Sequence, residues 1–274
     1  MVRWPAPTMP TANLVQLSPV LHAGKIGAAH FDIPNICSCS VVGGRYVGIA
    51  SHPAAHEGAI RCVLLGPALA ALAHQRLVLP LRGTCIRKGH DAIAFIGAPG
   101  AGKTALAVGL ARQGWQFQSD GLALIDVAAE EPCVRFSYSG ALIWKHTLLA
   151  LGIEPPQELE RAHPRLARYF LPPDQPAAES SASVRLKAMY IVRYGASEGV
   201  PEAIGLERGA AEKHILSQVV LEQLSHFFDS VEFVREAVRK IATRVPCLSL
   251  SRNRYGDLPA QLEPIGKLLC RDPG

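Results

Sequence analysis

The sequence predicts a mixed α/β fold, and three observations support this class. The run Ala92–Ile96 is apolar throughout, as expected of a strand buried in a parallel sheet. A glycine-rich loop and then a helical pattern, Thr104–Gln113, follow it directly, which is the strand–loop–helix unit of α/β proteins. Further β-type runs and amphipathic helical patterns continue along the chain.

The composition fits one large domain or one domain with a small appendage. Of 274 residues, 49% are hydrophobic and 19% charged, so the chain can bury a sizeable core and wholesale disorder is excluded. The net charge of +5 suits an anionic ligand, but it is too small and too dispersed to predict nucleic-acid binding. No apolar run approaches the roughly 20 residues that cross a bilayer. We therefore expect neither nucleic acid nor a membrane as a partner.

The cysteines indicate a reducing compartment rather than a metal site. Seven cysteines are scattered along the chain, and only Cys37 and Cys39 lie close together. The C-x-x-C pairs and the spacings typical of zinc are missing. Near the N-terminus, Pro5, Pro7 and Pro10 interrupt the stretch that a secretory signal would keep apolar. We expect free thiols in a cytoplasmic protein.

The N-terminal part is predicted to be a small β-rich segment. Repeated prolines at its start predict irregular chain there. The runs Cys39–Val42 and Tyr46–Ile49 flank a Gly-Gly pair, which is typical of a β-hairpin. We assign residues 1–58 to this segment and residues 59–274 to the α/β domain.

The helices and strands of the α/β domain follow from apolar periodicity and from turn residues. Pro67 is placed for the first turn of a predicted helix, Ala68–Gln75. Residues 172–183 are rich in Pro, Ala and Ser and predict a mobile loop. The other predicted helices are Ala210–Phe227 and Val231–Val245, and the other predicted strands are Val78–Leu81, Thr84–Arg87, Trp115–Gln118, Leu122–Ile125, Leu186–Val192 and Cys247–Leu250.

The glycine-rich loop, Gly97–Thr104, fits G-x-x-x-x-G-K-[ST] at every fixed position. In such a P-loop the glycines let the chain curl so that backbone N–H groups point at phosphate oxygens, and the helix N-terminus adds positive charge. Lys103 is expected to reach the β- and γ-phosphates, and the Thr104 hydroxyl to ligate Mg²⁺. We therefore predict nucleoside triphosphate binding, with ATP and Mg²⁺ as cofactors. The predicted binding residues are Gly97, Ala98, Pro99, Gly100, Ala101, Gly102, Lys103 and Thr104.

An acid near Mg²⁺ is the next clue, because a P-loop alone does not separate a kinase from an ATPase or a GTPase. Asp126 ends an apolar strand, which is the usual position of this acid in P-loop proteins. Asp120 follows Ser119, after the chain returns from the P-loop helix. Spacing alone favours neither acid, and a strand-terminal turn also explains Asp126.

The residues around the loop favour one of the two acids. Gly97–Thr104 is followed by Ala105–Ala107, Gly109–Ala111, Gly114 and Ser119-Asp120. This pattern resembles the core of the HPr kinase/phosphorylase family, and it is more similar still to the HPr-kinase-related proteins of ribosomal peptide clusters, including lasso peptide clusters. The similarity covers about residues 60–252, with further similar runs at Leu64–Leu72, Leu79–Gly83, Leu186–Val192 and Ala203–Leu206.

The resemblance implies a phosphoenolpyruvate carboxykinase-like P-loop nucleotide-binding domain. It also implies an ATP- and Mg²⁺-dependent kinase in which Asp120 takes the proton of a serine hydroxyl. In that case Thr104 and Asp120 would be the Mg²⁺ ligands, and Lys103 would neutralise phosphate charge. HPr kinases form hexamers, so the resemblance allows a homo-oligomer.

The chain departs from the family pattern at two positions. Gly121 replaces the second aspartate of a pair, and Arg82 replaces a histidine that normally contacts the catalytic aspartate. Arg82 is expected either to pair with Asp120 or to reach phosphate, unless it is an exposed structural residue. Arg168 is a candidate contact for the nucleotide or the transferred phosphoryl group, although a solvent-facing arginine fits equally well. The segment with which HPr kinases grip HPr is missing, so HPr is not the expected substrate.

Three functions stay open on the sequence. The leading prediction is a kinase that phosphorylates a serine-type hydroxyl on a peptide, with a ribosomal (lasso-type) precursor peptide as the expected acceptor. The second is a nucleotide-binding regulatory or scaffold protein with little catalysis, which Gly121 and Arg82 suggest. The third is a small-molecule kinase, which would have a closed rather than an open acceptor groove.

Overall fold

Three β-sheets and the helices that pack on them form the described part of the chain. The computed structural model describes residues 14–24, 27–138, 140–155, 157–172, 183–195, 200–253 and 257–270. These residues form a mixed α/β fold, as the sequence predicts. Most of the predicted loop at residues 172–183 and the predicted irregular start of the chain lie outside the described residues.

Strands and helices are numbered in chain order. The strands are β1 Val15–Ser18, β2 Leu21–Gly24, β3 Ala28–Ile33, β4 Cys37–Val42, β5 Tyr46–Ser51, β6 Leu79–Leu81, β7 Gly83–Lys88, β8 Asp91–Ile96, β9 Gln116–Ser119, β10 Ala123–Asp126, β11 Cys133–Arg135, β12 Ala141–Trp144, β13 Arg168–Leu171, β14 Val184–Tyr194, β15 Glu202–Gly205 and β16 Cys247–Arg252. The helices are α1 Glu57–Val63, α2 Leu69–Gln75, α3 Lys103–Ala111, α4 Lys145–Ala150, α5 Arg208–Leu216, α6 Val231–Arg244 and α7 Leu258–Leu269. A π-helical turn, Leu64–Ala68, joins α1 to α2, and a 3₁₀ helix, Glu222–His226, follows α5.

The N-terminal strands form an antiparallel sheet in the order β1-β2-β3-β4-β5. The predicted hairpin is confirmed, because β4 and β5 pair around Gly43 and Gly44, which both have positive φ. One face of this sheet, including Phe31 and Val41, packs with Val63 at the end of α1. The sheet is thus attached to the rest of the fold through the helix that follows it, and a separate segment over residues 1–58 stays a prediction.

The helix before the larger sheet is longer than the predicted Ala68–Gln75. Helical structure runs from Glu57 to Gln75 without interruption. Pro67 therefore lies inside the helix rather than in its first turn, and the π-helical turn accommodates its ring and its missing N–H. His56 caps the start of this helix, where its side chain accepts a hydrogen bond from Gly58 N–H at 3.1 Å. Because histidine is not a usual N-cap residue, the sequence did not predict that the helix begins here.

The same helix is the one candidate membrane span among the described residues, by length and composition alone. In the structure 44% of its apolar 18-residue stretch is buried. Ala70, Ala71 and Ala73 lie in the core. Part of this helix therefore belongs to the core, and the cytoplasmic location stays a prediction.

The larger sheet is mixed and contains the P-loop strand β8. Its strands follow the order β6-β10-β11-β14-β8-β7-β9, and β16 and β15 extend it beside β14. Strand β14 runs parallel to both β8 and β16, whereas the remaining pairs are antiparallel. The carboxyl ends of β8, β14 and β16 therefore meet at one edge of the sheet, which is where ligands bind in open α/β sheets.

Helices cover both faces of this sheet, as its apolar strands require. Successive residues of β8 point to opposite faces, so Ile93 and Phe95 join one core cluster and Ala94 and Ile96 another. Helices α3 and α7 pack on the first face, and α5 and α6 pack on the second. The predicted P-loop helix and the predicted helix Val231–Val245 are confirmed as α3 and α6.

The helix predicted over Ala210–Phe227 is wrong in its second half. Helix α5 ends at Leu216, and the following residues pair with the edge of β6 instead. The N–H of Val220 donates to Pro80 O at 2.9 Å, and the N–H of Arg82 donates to Gln218 O at 2.8 Å. Hydrogen bonds to an edge strand thus replace those of a continued helix, which local periodicity does not reveal.

Helix α7 was not predicted from the sequence. It contains Pro264 in its interior and has a second proline, Pro259, in its first turn. Such residues normally indicate a loop, yet Leu262, Ile265 and Leu269 are buried against the sheet. Burial of this apolar side outweighs the unfavourable proline.

Two glycine substitutions test how the helices are packed. Gly58→Ala is expected to lower the free energy of unfolding by about 1–3 kcal/mol, because its Cβ would overlap the carbonyl O of Arg161. Gly209→Ala, in the exposed first turn of α5, has open space around its Cβ and is expected to raise stability by about 0.5–1 kcal/mol. Urea unfolding of both variants measures these changes. Equal stability of the two variants would contradict the packing of α1 described above.

Candidate functional site

The segment Gly97–Thr104 connects the carboxyl end of β8 to the first turn of α3. Its glycines have backbone conformations that other residues rarely adopt, with φ of +139° at Gly97, +80° at Gly100 and +89° at Gly102. At Gly97 a side chain is also excluded by space, because a Cβ would lie 2.6 Å from Val192 O in β14. The chain therefore has the strand, the curled loop and the helix that the sequence motif requires.

Lys103 is nearly buried in this loop, with 9% of its surface exposed. Its Nζ donates hydrogen bonds to the carbonyl O atoms of Gly97, at 2.7 Å, and Ala98, at 2.9 Å. Burial and the positive charge of Arg82 lower the pKa of Lys103 to about 8, although the negative charge of Asp120 opposes this shift. An anion bound at the loop would favour the charged form of the lysine.

Asp120 lies directly behind the loop and connects it with two neighbouring strands. Its Oδ1 accepts hydrogen bonds from Thr104 Oγ1, at 2.8 Å, and from Thr84 Oγ1 in β7, at 2.6 Å. Its Oδ2 accepts a hydrogen bond from the backbone N–H of Leu142 in β12, at 2.9 Å. The carboxylate is thus fixed next to the P-loop hydroxyl, as expected of an acid that shares a metal with it.

The local chain path explains this position of the acid. Ser119, the last residue of β9, pairs with Cys85 in β7 and so brings the next residue beside the P-loop helix. Gly121 then turns the chain toward β10 with φ of +75°. At this position, where the resemblance predicts a second aspartate, the chain has a turn glycine that adds no carboxylate to the site.

Asp126, the other candidate acid, has a separate set of partners. Its Oδ2 accepts a hydrogen bond from Arg135 Nε at 2.8 Å, and its Oδ1 accepts one from the N–H of Ala128 at 2.9 Å. Burial alone would raise the pKa of Asp126, but these hydrogen bonds and the charge of Arg135 outweigh it and lower the pKa. Its strand, β10, is separated from β8 in the sheet by β11 and β14. The geometry therefore favours Asp120 as the acid of the loop.

Arg82 is exposed in the link between β6 and β7. The ion pair with Asp120 that the sequence allows is not formed in the described part of the chain, because hydroxyl and amide donors occupy that carboxylate. The charge of Arg82 is nevertheless close enough to lower the pKa of Lys103. Arg82 is thus exposed and is not among the residues that line the cleft beside the loop, and its contact with a phosphate stays a prediction.

A cleft of about 760 Å³ opens beside the loop, and three parts of the structure line it. The loop contributes Gly100, Gly102, Lys103 and Thr104. One wall, from β12, α4 and β13, includes Leu142, Trp144, His146 and Arg168. The facing wall, from the ends of β14 and β16 and the start of α7, includes Tyr194, Arg252, Asp257 and Leu258.

The wall formed by β12, α4 and β13 is aromatic and cationic. Trp144 and Arg168 face each other in the β12–β13 ribbon, and the Arg168 guanidinium lies 5.6 Å from the centre of the indole ring. The His146 ring stacks beside the indole at 6.2 Å. Trp144 remains 40% exposed. The structure therefore brings Arg168, a candidate from the sequence, into the cleft with the P-loop, and Trp144 and His146 join it.

Sequence reasoning missed Tyr194 and Arg252 on the facing wall. They end β14 and β16, and they are directly paired in the parallel register of these strands. Polar residues at the carboxyl ends of strands beside a P-loop strand are a recognisable signal of a binding site. Using that signal requires knowing that β14 and β16 run parallel to β8, which follows from the tertiary structure alone.

The oxygen donors of the site fit Mg²⁺. Thr104 Oγ1 and Asp120 Oδ1 lie 2.8 Å apart, and both are ligands of the type that Mg²⁺ prefers. No group of three or more His, Cys, Asp or Glu side chains is arranged for a metal ion anywhere in the described residues. Mg²⁺ is normally held by few protein ligands together with substrate phosphates and water, so this pair fits such a site, and Mg²⁺ binding stays a prediction.

No family model matches the chain, and no curated protein matches it either. The likeness to HPr-kinase-related proteins therefore stays a prediction.

Raising the pH through about 8 is expected to weaken ATP binding at this site. Lys103 must be protonated to neutralise phosphate, and its pKa in the free protein is about 8. Above that pH binding must include uptake of a proton, so affinity is expected to fall by up to about tenfold per pH unit. Calorimetric titrations at several pH values, in two buffers with different heats of ionisation, measure both the affinity and the proton uptake.

Lys103→Arg is the matched control for this pH dependence, because a guanidinium stays charged throughout the range. Its ATP affinity is expected to be nearly constant as the pH is raised. A wild-type affinity that is equally constant, without proton uptake, would contradict the lowered pKa of Lys103.

Proposed function

We propose that this protein is an ATP- and Mg²⁺-dependent kinase that transfers the γ-phosphoryl group to a serine-type hydroxyl on a peptide. We further propose that its α/β domain has the phosphoenolpyruvate carboxykinase-like P-loop fold that the resemblance implies. The expected acceptor is a precursor in ribosomal, lasso-type peptide biosynthesis. The nucleotide part of this proposal is supported by the site, whereas the peptide acceptor depends on the resemblance.

The observation that carries the proposal is the hydrogen bond between Thr104 and Asp120. It joins a P-loop hydroxyl to a carboxylate at 2.8 Å, directly at the N-terminus of α3. A phosphoryl transfer site needs a phosphate-binding loop, a metal-binding hydroxyl and an acid in this relation. Asp126, with its separate ion pair to Arg135, does not offer the same arrangement.

The chain's own groups have distinct roles in the proposed reaction. The N–H groups of the loop and the charge of Lys103 would hold the triphosphate and stabilise the charge on the transferred group. Mg²⁺, held by Thr104 and Asp120, would supply further neutralisation of the phosphates. Asp120 would accept the hydroxyl proton as the acceptor oxygen bonds to the γ-phosphorus. The bond from that phosphorus to the β–γ bridging oxygen breaks, and ADP is the leaving group.

A nucleotide-binding regulatory protein with little catalysis is the second candidate. Three protein donors already occupy the oxygens of Asp120, and Gly121 supplies no second carboxylate. An acid held in this way can contribute to metal binding without accepting a proton. This candidate predicts ATP binding without transfer to any acceptor.

Asp120→Asn tests the role of the carboxylate. The amide O can accept from Leu142 N–H while the amide N–H₂ group donates to the threonine hydroxyls, so the variant is expected to fold and, without Mg²⁺, to bind ATP nearly as the wild type does. Phosphoryl transfer is expected to fall by about 10²–10⁴-fold, because the general base is lost. The measurement is transfer of radiolabelled γ-phosphate from ATP to candidate precursor peptides.

The matched control is Asp126→Asn, which removes a carboxylate from the same region of the chain. It is expected to lose the ion pair with Arg135 but to keep its transfer rate within a few-fold of the wild type. Equal transfer by wild type and Asp120→Asn would reject the catalytic role of Asp120. Tight ATP binding by the wild type with no phosphopeptide from any acceptor would favour the regulatory protein.

A further inference from the structure

A second cation lies against the P-loop, at the end that leads into α3. Arg252 ends β16 and is buried, with 7% of its surface exposed. A Cβ at Gly102 would overlap its Nη2, so the guanidinium packs on the backbone of the loop at the start of α3. Its Nε donates a long hydrogen bond to Ala101 O at 3.4 Å. Lys103, by contrast, contacts the carbonyls at the other end of the loop.

The partners of Arg252 do not neutralise its charge. Its side chain contacts Ala101 O, the hydroxyl of Tyr194 at 3.3 Å and the face of the Tyr194 ring at 5.0 Å. Among the described residues no carboxylate lies within ion-pair distance of it, although it lines the cleft. A buried guanidinium without an anion is costly, and an anionic ligand in the cleft would offset that cost.

Tyr194 connects this arginine to the loop. Its hydroxyl donates a hydrogen bond to Gly100 O at 2.8 Å and accepts one from Arg252 Nη2. The contact holds the carbonyl of Gly100 toward the tyrosine. The register of β14 and β16, in which Tyr194 and Arg252 are directly paired, fixes both side chains relative to the loop.

We propose that Arg252, held in place by Tyr194, is a second phosphate-binding cation of the triphosphate site. Phosphate is the expected ligand because the guanidinium lies against Gly102, the residue at the N-terminus of α3, where free N–H groups and the helix dipole also favour an anion. Lys103 and Arg252 contact the two ends of the loop, so an anion bound to the loop N–H groups would have a positive charge near each end. This inference rests on the proposed nucleotide binding and adds the residue that the P-loop motif does not contain.

Arg252→Gln, with Arg193→Gln as the matched control, tests the proposal. Arg193 precedes Tyr194 in β14, is exposed and contacts Ser251, so its loss removes the same charge from outside the cleft. We expect Arg252→Gln to bind Mg²⁺–ATP about tenfold to a hundredfold more weakly than the wild type, as the loss of a charge-assisted hydrogen bond requires. Arg193→Gln is expected to bind ATP like the wild type.

The dependence on phosphate number separates phosphate binding from a structural role. Calorimetric titrations with adenosine, ADP and ATP measure the affinity for each ligand. We expect Arg252→Gln to bind adenosine as tightly as the wild type does, and to bind both ADP and ATP more weakly. Arg252→Lys keeps a positive charge without the planar guanidinium, so its affinity for ATP is expected to lie between those of Arg252→Gln and the wild type. It also provides the test if the glutamine variant does not fold.

Each outcome decides a distinct question. If the wild type binds no nucleotide, the proposed function fails, and this inference fails with it. If the wild type binds ATP and Arg252→Gln binds it equally well, the proposed function stands and the role of Arg252 is rejected. If adenosine binding falls as much as ATP binding, Arg252 supports the shape of the cleft rather than a phosphate, and the inference is again rejected.

Discussion

The carboxylate of Asp120 joins the elements on which the site depends. Its hydrogen bonds reach the P-loop helix through Thr104, strand β7 through Thr84 and strand β12 through Leu142. Four separate parts of the chain are thus held at one point, because Asp120 itself follows β9. Together with the apolar packing of β12 on α3, this contact sets the position of the cleft wall that begins at Leu142. The same atoms that stabilise the fold are therefore those proposed to bind metal and accept a proton.

Positive charge is concentrated around a loop whose backbone is already curled. Lys103 and Arg252 are both nearly buried, and Arg82 lies close enough to lower the pKa of Lys103. Burial is unfavourable for Lys103 and Arg252, and the charge of Arg82 adds to the cost of charging Lys103. A polyphosphate would remove that cost, so binding and the stability of this edge of the sheet are coupled. The wall with Trp144 and Arg168 leaves an exposed aromatic surface in the same cleft.

Local sequence was sufficient for the elements whose residues interact with their neighbours along the chain. The P-loop, its strand and its helix follow from glycine spacing and apolar runs, and the hairpin at Gly43 follows from its turn. Contacts between segments that are distant in the sequence determine the elements and site residues that were not predicted. The Val220 segment leaves its predicted helix to pair with β6, and α7 forms in spite of Pro264 because its apolar side is buried. Arg252 belongs to the site only because β16 runs parallel to β14.

Crystals grown with Mn²⁺ and a non-hydrolysable ATP analogue test the central claim most directly, because Mn²⁺ replaces Mg²⁺ and gives an anomalous signal. We expect a metal at about 2 Å from Thr104 Oγ1, with Asp120 beside it and the phosphates enclosed by residues 97–104. A metal bound at Asp126, or a triphosphate bound away from the loop, would show that Asp120 and the P-loop do not form the nucleotide site.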